Sequence, residues 1–164
     1  MSTTKDDPTD QPIEPYFEVT EEDAGSTTEG SITHMDDIPA YEIAEGLFFR
    51  PVFAQNISFN FVTFPPNSGF PSHIHPEEQV SIVREGEMEI TIAGVTKMVR
   101  PGDVIHFPPN VPHAGKTFEK PCRLIDTFSP PRTGIKEVIS SGNAVRSAGV
   151  DQWWESADDN EGTG

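Results

Sequence analysis

Residues 69–86 read GFPSHIHPEEQVSIVREG, and the rest of the chain is organised around them. It sets His73 and His75 one residue apart, with Gln79 four residues further on. Side chains on a β-strand alternate between faces, so residues two apart project to the same side. His73 and His75 can therefore address one point in space. Gln79 keeps the same parity, although Pro76 bends the chain between them. A second block, PGDVIHFPPNVPH at residues 101–113, ends in His113. Two imidazoles from one strand, a third from another and a side-chain amide oxygen make a suitable ligand set for a divalent transition ion.

On either side of these blocks the chain reads as short strands at regular spacing. Residues 46–53 (GLFFRPVF) form one, placed near an edge by Pro51. Residues 56–64 (NISFNFVTF) alternate, with Ile57, Phe59, Phe61 and Thr63 on one face and Asn60 and Val62 on the other. Residues 79–84 and 87–92 read as a hairpin across Glu85-Gly86, and 96–100 return after a turn at Gly94. Pro101-Gly102-Asp103 has turn chemistry, and residues 104–108 follow as a strand. The last clear strand is 122–129, CRLIDTFS. Asp126 and Phe128 share its inward parity, and Arg132 stands just past its end. Residues 31–45 read as a lead-in segment, and a short helix is possible near 134–139. Many short strands without a sustained helical pattern indicate an all-β sandwich or barrel.

Composition narrows the function classes. The 164 residues suit one domain, and 13 Gly with 16 Pro suit many turns. The net charge is −16, but it is uneven: residues 1–30 carry −8, residues 151–164 carry −5, and the middle only −3. The ends therefore read as acidic, disordered tails, 1–30 and 141–164, around a folded domain at 31–140. Such a chain is a poor nucleic-acid binder, because phosphates call for Lys and Arg. No apolar run approaches the roughly 20 residues that span a bilayer, and no secretory signal opens the chain, which points to the cytoplasm. The single Cys122 reads as a buried small hydrophobe. Glu77 and Glu78 read as solvated loop acids, either of which would substitute as a ligand if the register slipped, and His106 as either lining a pocket or facing outward.

The two histidine blocks resemble the two motifs of the cupin superfamily, Gly-x3-His-x-His-x3-Gln-x6-Gly and Pro-Gly-Asp-x4-Pro-x3-Pro-His. The likeness covers residues 47–132, and it departs from the usual pattern by having Gln79 where Glu is common. It implies a jelly-roll (double-stranded β-helix) barrel with an interior pocket. It also implies a metal held by His73, His75, Gln79 and His113. Four neutral ligands of intermediate hardness suit Mn, Fe, Co, Ni or Zn better than Ca or Mg. They favour Lewis-acid chemistry over oxygen activation.

Together with residues 126–132, DTFSPPR, the blocks are similar to the pectin-degradation (KdgF-type) cupins. Those proteins convert ring-form 4,5-unsaturated uronates into the linear keto form. The resemblance gives Asp126, Phe128 and Arg132 the catalytic roles, an anionic sugar as the substrate, and a homodimer as the assembly. The sequence departs from that pattern after Arg132, where Thr133-Gly134 replace a common acidic residue. A metal-dependent dioxygenase and a non-catalytic sugar- or metabolite-binding cupin stand as alternatives.

Overall fold

From Ala40 onward the chain alternates inward and outward residues and breaks at Gly, Pro and Asn, so it folds as strands. The structure, a computed structural model, describes residues 29–147. Residues 1–28 and 148–164, the greater part of the predicted tails, lie outside those residues; within the tail expected at 141–164, residues Val145–Ser147 instead form a strand paired with the strand Ala40–Ala44. With elements numbered in chain order, one antiparallel sheet runs Val145–Ser147 (β11), Ala40–Ala44 (β1), Leu47–Phe53 (β2), Ser58–Phe64 (β3), Cys122–Ser129 (β10), Glu78–Gly86 (β5), Val104–Phe107 (β8). A smaller sheet runs Gly69–His73 (β4), His113–Lys116 (β9), Met88–Ile92 (β6), Val95–Val99 (β7). A helix, Gly134–Ser140 (α1), lies where the sequence allowed one. The two sheets share a core in which Val62, Phe64, Val83 and Leu124 of the larger meet Met88, Ile90 and Val99 of the smaller. This is the jelly-roll barrel.

The inward residues change character along each strand at the same level. On β3 Phe64 and Val62 give way to Asn60 and Ser58. On β10 Cys122 and Leu124 give way to Asp126 and Phe128, and on β5 Val83 gives way to Ser81 and Gln79. The register aligns these changes: Asn60, Asp126 and Ser81 stand side by side, as do Ser58, Phe128 and Gln79. One end of the barrel is therefore an apolar plug and the other a polar chamber. Cys122 sits in the plug, fully buried, and burial pushes its thiol up to about 12, so it is inert.

Three local expectations are corrected. Residues 40–44, expected to be part of a lead-in, form β1 and hold both β11 and β2. β2 is thus an interior strand; Pro51 is tolerated because β1 pairs only with Leu47, Phe48 and Phe49 and leaves Pro51 open on that side. The hairpin across Glu85-Gly86 does not form: β5 pairs with β10 and β8, while β6 pairs with β7 and β9. Gly86, at φ +71°, redirects the chain from one sheet to the other. A Cβ there would overlap the carbonyl group of Pro121. Gly86→Ala is expected to destabilise the domain by at least about 2 kcal/mol, from left-handed backbone strain plus this overlap. A thermal melt should show the midpoint falling by roughly 6 °C or more; an unchanged midpoint would refute the sheet-crossing role.

Candidate metal centre and catalytic chamber

Three imidazoles meet at the polar end. His73 closes β4 and is paired in register with His113 at the start of β9. His75 lies just beyond β4, in the bend that carries the chain across to β5. The i, i+2 parity thus brings the first two rings together only with the help of that bend. Ring centroids are 4.4 Å apart for His73 and His113, 4.9 Å for His75 and His113, and 5.6 Å for His73 and His75. One nitrogen from each ring lies within 4.8 Å of the others. Gly115 admits the Phe70 ring beside this group, where it props His73 and His113 edge-on.

The outer nitrogen of every ring is occupied. Nδ1 of His73, His75 and His113 sits 3.0, 2.9 and 2.8 Å from the carbonyl oxygens of Pro71, Glu77 and Val111. A carbonyl only accepts, so each Nδ1 carries the hydrogen and each Nε2 keeps its lone pair. Metal-binding histidines are oriented in this way. Nε2 of His113 is buried and has no hydrogen-bond partner among the described residues. Nε2 of His75 faces Oε1 of Gln79 at 3.0 Å. Gln79 donates its Nε2 to Ser81 Oγ at 3.0 Å, and Ser81 donates onward to Asp126 Oδ1 at 2.5 Å. Lone pairs therefore converge on lone pairs, an arrangement that a cation neutralises and water does not fully satisfy. His73, His75, His113 and Gln79 fit a divalent transition ion.

Burial keeps His75 and His113 below the usual histidine range, so both rings stay neutral as ligands must. Burial pushes Asp126 up to about 6, against the opposing hydrogen bonds from Ser81 and Gln79. Such a carboxyl exchanges its proton near neutral pH.

The chamber opens into a cavity of about 410 Å³. His73, Gln79, His113, Asp126 and Arg132 line its polar side. Phe49, Phe64, Phe128 and, from α1, Ile135 and Val138 line its apolar side. Phe128 stands edge-on to His75 at 5.7 Å and under the Arg132 guanidinium at 5.5 Å. Arg132 is pinned by its backbone N–H, which donates to Ser58 Oγ at 3.0 Å. Of the predicted site residues, His73, Gln79, His113, Asp126, Phe128 and Arg132 thus border one space, and His75 adjoins it through Gln79 and Phe128.

Two residues with a part in this chamber were not expected there. Glu77, read as a solvated acid, is only 16% exposed; its Oε2 lies 3.4 Å from His75 Nδ1 and 3.8 Å from Arg132 Nη1. The bend that delivers His75 turns it inward. Ser81 links Gln79 to Asp126, and its shared parity with Gln79 was the available signal. His106 faces outward and pairs with exposed Glu78 at 2.8 Å.

Residues 60–128 match the Cupin domain family, Cupin_2, a span that holds every predicted site residue except Arg132. Over that span the barrel and its two histidine motifs resemble those of the cupins. Within the cupins it resembles the KdgF proteins. It is 27% identical over 99 residues to the pectin degradation protein KdgF of Dickeya dadantii, covering 59% of this chain and 90% of that protein. The solved structure of KdgF from Halomonas sp. superposes with a TM-score of 0.62, covering 65% of this chain and 99% of that one; at 23% identity this likeness speaks for the fold alone. A shorter match, 29% identical over 72 residues, is to the dimethylsulfoniopropionate lyase DddQ of Ruegeria pomeroyi. It covers 43% of this chain and only 36% of the lyase, so the chain spans about a third of that relative. Among the described residues no helix is long and apolar enough to cross a membrane.

Proposed function

We propose that this cupin is a metal-dependent isomerase that converts 4,5-unsaturated uronate monosaccharides into their linear keto form. The observation that carries the reading is the shared cavity: two imidazoles of the three-histidine cluster (His73 and His113), a proton-exchanging carboxyl and a partly buried guanidinium all face the same space of about 410 Å³. A monosaccharide acid fits such a volume. Mn, Fe, Co, Ni or Zn, bound by His73, His75, Gln79 and His113, would supply Lewis-acid stabilisation of negative charge on substrate oxygen.

This chain's own residues do the rest. Arg132 receives the substrate carboxylate; its partial burial, which lowers its pKa, leaves it poorly hydrated and ready for a bidentate partner. Glu77 at 3.8 Å holds the guanidinium in place. Phe128 and the α1 side chains keep the ring against an apolar wall and exclude water. Asp126 takes the proton from the anomeric hydroxyl as the bond between the anomeric carbon and the ring oxygen breaks. The electron pair moves onto the ring oxygen and the adjoining double bond. Asp126 then returns the proton to the carbon that becomes CH2. One proton leaves and one arrives, so the conversion is an isomerisation without a co-reactant.

The test is direct. Metal-loaded protein mixed with lyase-generated unsaturated monouronate should abolish the ultraviolet absorbance of the conjugated double bond. Unchanged absorbance would remove the reading. Oxygen uptake with ferrous protein would favour a dioxygenase, and cleavage of dimethylsulfoniopropionate would favour a lyase.

Arg132→Gln is expected to raise KM roughly 10- to 100-fold, the loss of one charge-assisted contact of about 1.5–3 kcal/mol, and to leave metal content intact. Steady-state kinetics with elemental analysis check both parts; loss of metal would assign Arg132 a structural role instead.

A further inference from the structure

Asn60 on β3, Asp126 on β10 and Ser81 on β5 form one register line across three strands, all facing the barrel interior. Ser81 is engaged by Gln79 and Asp126. Asn60 is not: it is fully buried, and neither Nδ2 nor Oδ1 reaches a hydrogen-bonding group among the described residues. Buried amides without partners are strongly unfavourable, and an apolar residue would be the stable choice, as at Val62 two positions on. Directly paired residues on antiparallel strands hold their Cβ atoms about 5 Å apart, so the Asn60 amide and the Asp126 carboxyl are neighbours. Asn60 is absent from the lining of the 410 Å³ cavity, whereas Asp126 is part of it. What satisfies Asn60 must therefore be small and lie outside that cavity.

We infer that Asn60 holds an internal water against Asp126 and is a positioning residue for the proton that Asp126 moves. Nδ2 donates to the water and Oδ1 accepts from it or from a second one; the water donates to the carboxylate. This supplies the two to four polar partners that a buried water needs. Asp126 is then held between the Ser81 hydroxyl on one side and the water on the other. That keeps its free lone pair aimed at the substrate. The inference rests on the proposed role of Asp126.

The test has two arms. A high-resolution crystal structure of the metal-loaded protein should show a water within hydrogen-bond distance of both the Asn60 amide and the Asp126 carboxyl. An amide bonded directly to protein, with no water, overturns the proposal. In the second arm Asn60→Leu, which keeps the branched side-chain shape and removes the amide, should lower kcat tenfold or more, with KM within about twofold and metal content unchanged. Asn60→Ser, which retains a hydroxyl, should recover several-fold of that loss. Wild-type kcat in the leucine variant, or no recovery in the serine variant, overturns the positioning role. If the leucine variant does not fold, the serine variant and the crystal structure still decide. A wild-type protein inactive on unsaturated uronates would remove the functional reading, while the crystallographic arm judges the water on its own.

Discussion

Replacing His113 by alanine is expected to yield a folded barrel that retains less than a tenth of its transition ion and has no turnover above background. The ring lies at the centre of the cluster, 4.4, 4.9 and 4.5 Å from the ring centroids of His73, His75 and Phe107. Its Nδ1 is committed to the Val111 carbonyl, so Nε2 alone faces the other ligands, and no described residue satisfies that atom. Disturbing a group behind a metal ligand already costs roughly 10- to 100-fold in affinity. Deleting a ligand should exceed that. The cavity left in the core should cost a few kcal/mol, on the order of 2–3, because His113 is only 2% exposed. The domain tolerates this because the apolar plug at the other end is untouched. Elemental analysis of purified protein and a melt without metal separate the two effects. Full metal content in the variant would remove His113 from the ligand set.

Asp126→Asn should reduce kcat by 10²- to 10⁴-fold with metal content unchanged, the range for loss of a general acid–base group. The same substitution should stabilise the metal-free protein at neutral pH. Burial lifts the Asp126 carboxyl from its ordinary 3.8 to about 6 in the folded chain. Between those values the native state binds more protons than the unfolded state, so stability falls as pH rises across that window and stays low above it. The shift corresponds to about 3 kcal/mol, an upper figure for what asparagine recovers above pH 6. His75 and His113 act in the opposite sense. Their folded values are lowered, so their contribution is present above the unfolded 6.5 and is lost as the pH falls. The difference in melting temperature between variant and wild type isolates Asp126: it should grow from about pH 4 to pH 6 and then level off. A flat difference would mean that Asp126 is not held up by burial; undiminished turnover would mean that it moves no proton.

Most of the chamber was legible because its residues repeat at strand parity. Gln79 and Ser81, and Asp126 and Phe128, each lie two positions apart on one strand, and a two-residue period survives any arrangement of the sheets, whereas His73 and His75 meet only because a bend follows the strand. What parity does not report is which side is inside. On β3 the two aromatics, Phe59 and Phe61, lie half-buried on the outer face, and the small polar Ser58 and Asn60 point inward. Hydrophobicity alone would have suggested the reverse. The polar residues face in because their register neighbours on β10 and β5 are the chamber's own groups. Glu77 escapes a sequence reading for a related reason: a bend has no periodicity, so nothing local shows that its carboxylate turns toward His75 and Arg132.

Alternation, Gly and Pro placement and side-chain chemistry were enough to read a β-rich barrel, its turns and a cluster of histidines able to hold a metal ion from the chain alone. Which strands become partners was settled by the folded arrangement alone. The apparent hairpin across Gly86 splits between two sheets, and β1 and β11 join the larger sheet. Strand pairing is a contest among distant segments for a shared core, and its outcome is not written in any one of them. The same contest brings His113 opposite His73, far earlier in the chain, and sets Asn60 beside Asp126.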